Sequence, residues 1–328
     1  MSIEVIKAGI ADSIQDEGRF GFQHLGINPN GAMDLCAMKV ANALVGNALN
    51  EAVVEMGFPA STFRFDKPAL VALTGADFTP KLNGRNIPIN QPVLVASGSE
   101  LKFTKVKHSA WCYLAVHGGF GLTEWLGSYS TNKKANVGGV EGRFLKKGDR
   151  LSFRRQINNS AIKVFPWRAN VTEFYEGSVP SQTNVRCIEG NEFDWLTKKS
   201  QKDFLKRSFI ISRQSDRMGY RLEGTALKQS KKQELLSTAV SFGTIQVLPN
   251  GELIALMADH QTTGGYPRVA QVIAADRSRL VQCSPAEKIS FSFVDIEEAE
   301  DLLLKQEQSL SRLQYACKLM LKEYLVFL

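Results

Sequence analysis

Five side chains that can hydrogen-bond a polar ligand stand in succession at Asp259, His260, Gln261, Thr262 and Thr263. Gly264 and Gly265 follow, and glycine permits positive φ and close backbone approach. Tyr266 and Pro267 stiffen the exit, and Arg268 adds a planar fork suited to a carboxylate or phosphate. A hairpin needs only a glycine and a polar neighbour or two. The stretch is therefore either a tight turn with capping hydroxyls or a ligand-binding loop.

Three other stretches carry comparable chemistry. Between Ser212 and Gly224, Arg213, Arg217 and Arg221 stand among Asp216 and Glu223, as an internal salt-bridge web or as a site for an anionic ligand. Near the N-terminus Gln15, Asp16, Gly18, Arg19 and Gly21 form either a functional loop or a β-turn with a structural Asp–Arg pair. Gly127, Ser128, Tyr129, Ser130, Thr131 and Asn132 combine glycine with hydroxyls, the composition of a backbone nest for an anion. The Gly-Lys-Ser/Thr ending of a phosphate loop is missing, and so is the Gly-x-Ser-x-Gly of a nucleophile elbow.

Most of the elements that must position these stretches read as β. Leu253–Ala258 is an apolar run leading into the first loop, as expected of a buried strand. Short apolar runs recur at 63–65, 69–73, 93–96, 100–103, 111–116 and 151–153, and again at 184–189, 209–212, 241–247, 270–273 and 288–293. Asn83-Gly84 is a strong hairpin signal between two of them. Many short strands with regular turns indicate a closed barrel or sandwich. One early helix is expected after Asp34, with Leu35, Met38, Ala41, Leu44 and Val45 on one core face and Gly46 as its left-handed cap. Asn42 and Asn47 beside its end are read as backbone partners. Residues 154–185 read as a linker or crossover.

After Asp295 the pattern changes. Ala299, Leu303, Gln306, Leu310, Leu313, Cys317, Met320 and Tyr324 step by four and three, a heptad-like stripe on one long helix. It is expected to be an interaction helix that docks on the body or on a partner and that the fold does not need.

Composition narrows the class. The 328 residues are 44% hydrophobic, enough for about two domains with a full core. The net charge of +7 is scattered, with its clusters at Lys198, Lys199 and Lys202 and at Lys228, Lys231 and Lys232 read as loop surface. No basic stripe with interleaved aromatics indicates nucleic acid. The five cysteines are far apart with no CxxC pair, and the four histidines lack ligand spacing, so neither a disulfide framework nor a metal site is expected. No signal peptide and no membrane-spanning run are seen, so a cytoplasmic protein is expected.

Taken in order, the motifs resemble a known family. They are Gln15-Asp16-x-Gly18-Arg19-x-Gly21, Gly31-Ala32-Met33-Asp34, Ala41-Asn42-x-Leu44-Val45-Gly46-Asn47, Thr74-Gly75-Ala76-Asp77, Gly118-Gly119, Leu126-Gly127-Ser128-x-Ser130-Thr131, Gly142-Arg143 and Gly148-Asp149. The second half adds Ser215–Leu222, Gly243-Thr244-Ile245-Gln246 and Asp259-x-Gln261-Thr262-Thr263-Gly264-Gly265-Tyr266-Pro267. Over about residues 3–295 the chain resembles the allophanate hydrolase subunit 2-like, biotin-dependent carboxyltransferase-related family. That family includes the C-type component of ATP-dependent 5-oxoprolinase, the KipI antagonist and a segment of urea carboxylase. The chain departs from the family pattern at Tyr129, where Arg is usual, at Asn132, where Asp is frequent, and at Ala286, where the pattern has Gly.

The resemblance implies a mainly β fold of two cyclophilin-like β-barrel subdomains. We place them at 1–165 and 166–295, with a C-terminal amphipathic helix at 296–328. It implies a C-type hydrolase component that opens 5-oxoproline to glutamate together with A-type and B-type components, ATP being used by the complex. The expected partners are a B-type (KipI-like) protein and an A-type protein. One alternative is a non-enzymatic regulator that binds a kinase inhibitor. Another is a carboxyltransferase component acting with carboxybiotin, the biotin being on a separate carrier. For a small amide or lactam substrate, Asp216, Arg217, Gln246, Asp259 and Gln261 are the catalytic candidates. Asp77, Ser128, Ser130, Thr131, Tyr220, Arg221, Thr262, Thr263, Gly264, Gly265, Tyr266 and Arg268 are the substrate-binding candidates. Gln246, Gln261 and the 262–263 hydroxyls would meet the amide edge, because unpaired buried polar groups are costly. Arg217, Arg221 or Arg268 would clamp a carboxylate or phosphate. Asp77, Asp216 and Asp259 would do acid–base or orienting work, and backbone N–H groups at Gly264-Gly265 would hold an oxyanion. These loops, with 127–131 of the first half, are expected to converge on one cleft between the two β subdomains.

Overall fold

The computed structural model describes residues 2–158, 161–171, 174, 183–231 and 233–325. Part of the expected linker (175–182) and Lys232 lie outside the described residues. The chain divides into two compact units, one made of Met1–Arg19, Asn30–Glu173 and Glu307–Leu328, the other of Phe20–Pro29 and Phe174–Gln306.

In the first unit the strands are β1 (Ser2–Lys7), β2 (Ser13–Gln15), β3 (Val53–Met56), β4 (Thr62–Phe65), β5 (Ala69–Asp77), β6 (Pro80–Leu82), β7 (Arg85–Asn86), β8 (Pro92–Val95), β9 (Glu100–Phe103), β10 (His108–Val116), β11 (Arg150–Ser152) and β12 (Lys163–Val164). They form two six-stranded sheets, in the orders β11-β1-β4-β9-β6-β7 and β12-β8-β5-β10-β3-β2. Ile3, Phe63 and Leu101 from one sheet share a core with Val54, Val71 and Leu114 from the other. The β6–β7 hairpin turns on Asn83 at φ +50° and Gly84 at φ +79°, the left-handed pair that a two-residue turn requires.

Helix α1 (Leu35–Leu44) starts as expected, with the Asp34 side chain accepting from the Ala37 N–H at 2.9 Å. Gly46 follows at φ +74°. The helix is buried on nearly every side, which a one-faced stripe did not anticipate; Cys36, Val40 and Ala43 are sealed along with Met38 and Ala41. Strands β5 and β10 cover one side, and the C-terminal helix, which we label α4 (Ile296–Leu325), reaches another. Lys39 Nζ pairs with Glu307 at 2.9 Å, and Gln314 donates to the Asn47 carbonyl at 3.1 Å. Leu321 packs so close to Gly46 that a Cβ there would lie 2.6 Å from its Cδ1. Leu310, Cys317 and Leu321 are buried, and Tyr324 meets Phe165 edge-on and Trp167 at a tilt. The tail thus docks its apolar seam on this chain, one of the two placements expected of it. Asn42 and Asn47 bond backbone carbonyls, as expected.

In the second unit β13 (Thr183–Glu189), β14 (Phe209–Ile211), β15 (Gly219–Glu223), β17 (Thr244–Val247), β18 (Leu253–Leu256), β20 (Arg268–Val272) and β21 (Lys288–Phe293) close a seven-stranded barrel. A short ribbon pairs β16 (Thr238–Ala239) with β19 (Thr263–Gly264). Tyr220, Leu222, Ile245, Val247, Leu253 and Ala255 are buried, while Arg221 and Glu223 between them on β15 are exposed. The lysine-rich stretch read as loop is helix α2 (Lys198–Lys206), capped by Thr197 on the Ser200 N–H. Its Phe204 stacks on Phe291 at 5.0 Å, so two buried residues under a polar surface carry the helix. Helix α3 (Arg277–Val281) follows β20. The fold is thus mainly β with a C-terminal helix, as expected.

Candidate functional site

Strand register builds the site. Arg221 on β15 and Gln246 on β17 are both register partners of Ile254 on β18. On β20, Arg268 is the register partner of Gln246. Partners in register share a face of the sheet, so Arg221, Ile254 and Gln246 form one row across three strands, while a β-bulge interrupts the register before Arg268, which lines a different pocket. Above the row runs the stretch that opens at Asp259. A pocket of about 440 Å³ lies here, lined by Arg221, Gln246, Ile254, Leu256, Gln261 and Tyr266 together with the Leu248–Asn250 turn. The anticipated segments 215–222, 243–246 and 259–268 therefore meet in the second unit.

Gln246 is fully buried. Its Nε2 donates to the Tyr266 carbonyl at 3.2 Å, which orients the amide, and its Oε1 is buried without a donor. Gly264 is needed beside it, since a Cβ there would come within 2.7 Å of Gln246 Nε2. The two glycines thus serve close approach; neither takes the positive φ that the sequence suggested.

The three candidate arginines separate by their partners. Arg217 is buried, and its Nε and Nη2 donate to the two Asp259 oxygens at 2.9 and 3.0 Å. Arg268 does the same with Glu192, at 2.8 and 2.7 Å. That pair holds the Glu192 carboxyl below its ordinary range, even though burial pushes it up. Both forks are filled by protein carboxylates, so neither stands ready to clamp a ligand. The Arg221 guanidinium has no hydrogen bond or ion pair among the described residues and stands exposed on the pocket wall.

Other anticipated residues have structural partners. Asp216 is exposed and caps its own turn, accepting from the Met218 and Gly219 N–H groups at 2.8 and 3.2 Å. Asp259 is the counterion of Arg217, and its carbonyl accepts from Asn28 at 3.2 Å. Tyr220 is buried, with its hydroxyl donating to the Val281 carbonyl at 2.9 Å. The Thr262 carbonyl accepts from the Val240 N–H at 3.2 Å, and Thr263 pairs with Ala239 in the ribbon. His260, not among the candidates, is buried with Nδ1 2.6 Å from the Gln261 carbonyl, and burial lowers its pKa.

Ser128, Ser130 and Asp77 of the first unit are committed in the same way, whereas the buried Thr131 hydroxyl has no partner among the described residues. Ser128 and Ser130 hydroxyls donate to Asp16 Oδ1 at 2.7 and 2.5 Å, and the Tyr129 N–H donates to its Oδ2 at 2.6 Å. The loop is an anion nest whose anion is Asp16. Arg19 donates to Asn30 and to the Ser130 carbonyl and stacks on Trp125, which completes that packed assembly. Thr131 is buried beside Gly139. Asp77 pairs with Lys107 at 2.8 Å and caps the Thr79 N–H at 2.8 Å.

A second pocket of the second unit, about 340 Å³, lies by Thr244, Gln271 and Arg268. Its polar wall is self-satisfied, with Thr244 donating to Gln271 Oε1 at 2.8 Å and Gln271 Nε2 donating to the Phe242 carbonyl at 2.8 Å. Among the described residues no group of three or more His, Cys, Asp or Glu is placed to hold a metal ion. No helix among them is long and apolar enough to cross a membrane.

This barrel and its partner unit are found in known proteins. The chain belongs to the family of carboxyltransferase domains built of subdomains A and B, whose family model matches residues 25–293. Within that class it is similar to the C-type component of 5-oxoprolinase from Haemophilus influenzae, 36% identical over 313 residues that cover 95% of this chain and 97% of that protein. Its counterpart in the 5-oxoprolinase of Escherichia coli is 36% identical over 310 residues, covering 93% and 95%. Among solved structures, urea amidolyase of Kluyveromyces lactis superposes with a TM-score of 0.88 at 26% identity, over 95% of this chain but 20% of that one.

Proposed function

We propose that the chain is the C-type component of an ATP-dependent 5-oxoprolinase, a hydrolase complex that opens 5-oxoproline to glutamate. One observation carries this reading. The similarity to the C-type 5-oxoprolinase components runs nearly end to end on both chains, at 36% identity over 97% of the Haemophilus influenzae protein. The urea amidolyase likeness corresponds to one fifth of a far longer chain.

The pocket chemistry agrees with such a substrate. A lactam presents an N–H donor, a carbonyl acceptor and an apolar ring edge. The pocket offers an unfilled amide oxygen, a second glutamine and an apolar floor of Ile254 and Leu256. Amide hydrolysis is coupled to ATP in the complex, and the partners are an A-type protein and a B-type (KipI-like) protein. Co-expression with those two proteins should give ATP-dependent release of glutamate from 5-oxoproline. A folded, assembled complex that releases none would refute the reading.

A second reading follows from the family itself, whose name is that of a carboxyltransferase. In it the same pocket would present an amide nitrogen to carboxybiotin on a separate carrier. Transfer of labelled carboxyl from a biotinylated carrier to an amide would favour it.

A further inference from the structure

Two groups on the pocket wall have no hydrogen-bond partner among the described residues, a guanidinium and a fully buried amide oxygen. They belong to Arg221 and Gln246, which face Ile254 from its two neighbouring strands. Two strand steps of roughly 4.8 Å put their Cα atoms about 10 Å apart. Both side chains line the pocket, with Ile254 on the strand between them.

Three arginines in this region have the fork geometry for a carboxylate, and two are consumed by it already. Arg217 holds Asp259 and Arg268 holds Glu192, each through two hydrogen bonds. In both pairs a protein carboxylate fills the fork. Arg221 receives none, although it projects from the same barrel.

Gln246 is set for one half of an amide contact. Its Nε2 is fixed on the Tyr266 carbonyl, so the side chain cannot turn over without losing that bond. Oε1 is therefore held as an acceptor, and it is buried with no donor. Unfilled buried acceptors are rare in folded proteins, and a ligand is one standard reason for them. A Cβ at Gly264 would come within 2.7 Å of Nε2 and displace this amide. Between the two polar ends, Ile254, Leu256 and Leu248 form an apolar floor suited to ring methylenes.

We propose that this pocket recognises a small carboxylate-bearing secondary amide, with the amide N–H on Gln246 Oε1 and the carboxylate on Arg221. The assignment rests on the 5-oxoprolinase reading, for which 5-oxoproline is the ligand of this class. It makes Arg221 and Gln246 the specificity-determining pair, and it leaves Arg217 and Arg268 as supports of the barrel.

The test uses the co-expressed complex and three probes: 5-oxoproline, 2-pyrrolidinone, which lacks the carboxylate, and N-methyl-5-oxoproline, which lacks the N–H. Arg221→Ala should raise KM for 5-oxoproline about tenfold or more, and should abolish the preference for 5-oxoproline over 2-pyrrolidinone. Gln246→Leu should abolish the preference over N-methyl-5-oxoproline and keep the preference over 2-pyrrolidinone. Arg221 is exposed, so its variant remains informative if Gln246→Leu fails to fold. Unchanged KM and unchanged preferences in the folded variants would overturn the pocket assignment while leaving the 5-oxoprolinase reading in place. If the complex does not cleave 5-oxoproline, calorimetric titration of the full chain with 5-oxoproline and 2-pyrrolidinone decides. Binding of the carboxylate compound that is lost in Arg221→Ala upholds the site, and absence of binding to the wild type overturns it.

Discussion

Arg217 and Asp259 are tied to each other twice. The guanidinium holds both carboxylate oxygens, at 2.9 and 3.0 Å, and the Asp259 N–H donates to the Arg217 carbonyl at 2.7 Å. The double link fixes the start of the 259–268 segment to the turn that precedes β15. Removing one partner leaves the other charge without its counterion. Breaking a buried pair costs about 3–5 kcal/mol, and the partial exposure of Asp259 reduces this to about 2–4 kcal/mol. Arg217→Ala should therefore lower stability in urea unfolding, and a double-mutant cycle with Asp259→Ala should show strong coupling. An Arg217→Ala protein of wild-type stability with lost turnover would instead make Arg217 a substrate-binding group.

Asp12 should make stability fall with pH. Its side chain is buried, and the Ser61 N–H donates to Oδ2 at 2.6 Å. Burial is the main cause that pushes its pKa up from 3.8 to about 7, and the nearby Glu55 charge adds to it. The folded state thus keeps a proton that the unfolded chain has released. Stability should decline as pH rises from about 4 to 7 and then level off, with a total cost on the order of 4 kcal/mol. Asp12→Asn should flatten that slope and raise the melting temperature at pH 8. The same slope in the variant would mean that another group titrates.

What the sequence made legible were features set by local chemistry. The Asp34 cap, Gly46, the Asn83-Gly84 turn and the strand alternation each follow from neighbours a few residues away. What it concealed were partners brought in by the fold. Arg217 and Asp259 are 42 residues apart, Arg268 and Glu192 are 76 apart, and Ser128 and Asp16 are 112 apart. Nothing local distinguishes an arginine that will meet a carboxylate from one that will not, so Arg217, Arg221 and Arg268 looked alike. Helix α2 was missed for a related reason. Its surface is lysine, and the two residues that hold it, Ser200 and Phe204, are too few to show a period.

Ala286 holds a conformation that favours glycine. It follows Pro285 at φ +73°, with its N–H donating to the Ile211 carbonyl at 2.8 Å. A left-handed alanine costs about 1–2 kcal/mol, and glycine returns about half of that through its greater unfolded freedom. Ala286→Gly should stabilise the protein by about 0.5–1 kcal/mol in chemical denaturation. A destabilised variant would show that the alanine methyl contributes more by packing than its backbone costs.

The C-terminal helix should be required for the fold of the first unit. Leu321 is buried against Gly46, and the Lys39–Glu307 pair closes the same face of α1. Leu321→Ala should cost about 2–4 kcal/mol. Truncation after Glu298 uncovers α1, and it should give a protein that melts earlier or aggregates. A truncated chain with the full-length melting profile would return the tail to the role of an external interaction helix.

The most direct measurement of the central claim is a reconstitution assay. The A-type and B-type proteins, purified without this chain, are supplied with ATP and 5-oxoproline, and glutamate is followed before and after this chain is added. The account predicts that ATP-coupled glutamate release depends on the added chain. Equal release without it, or none from the fully assembled complex, would contradict the account.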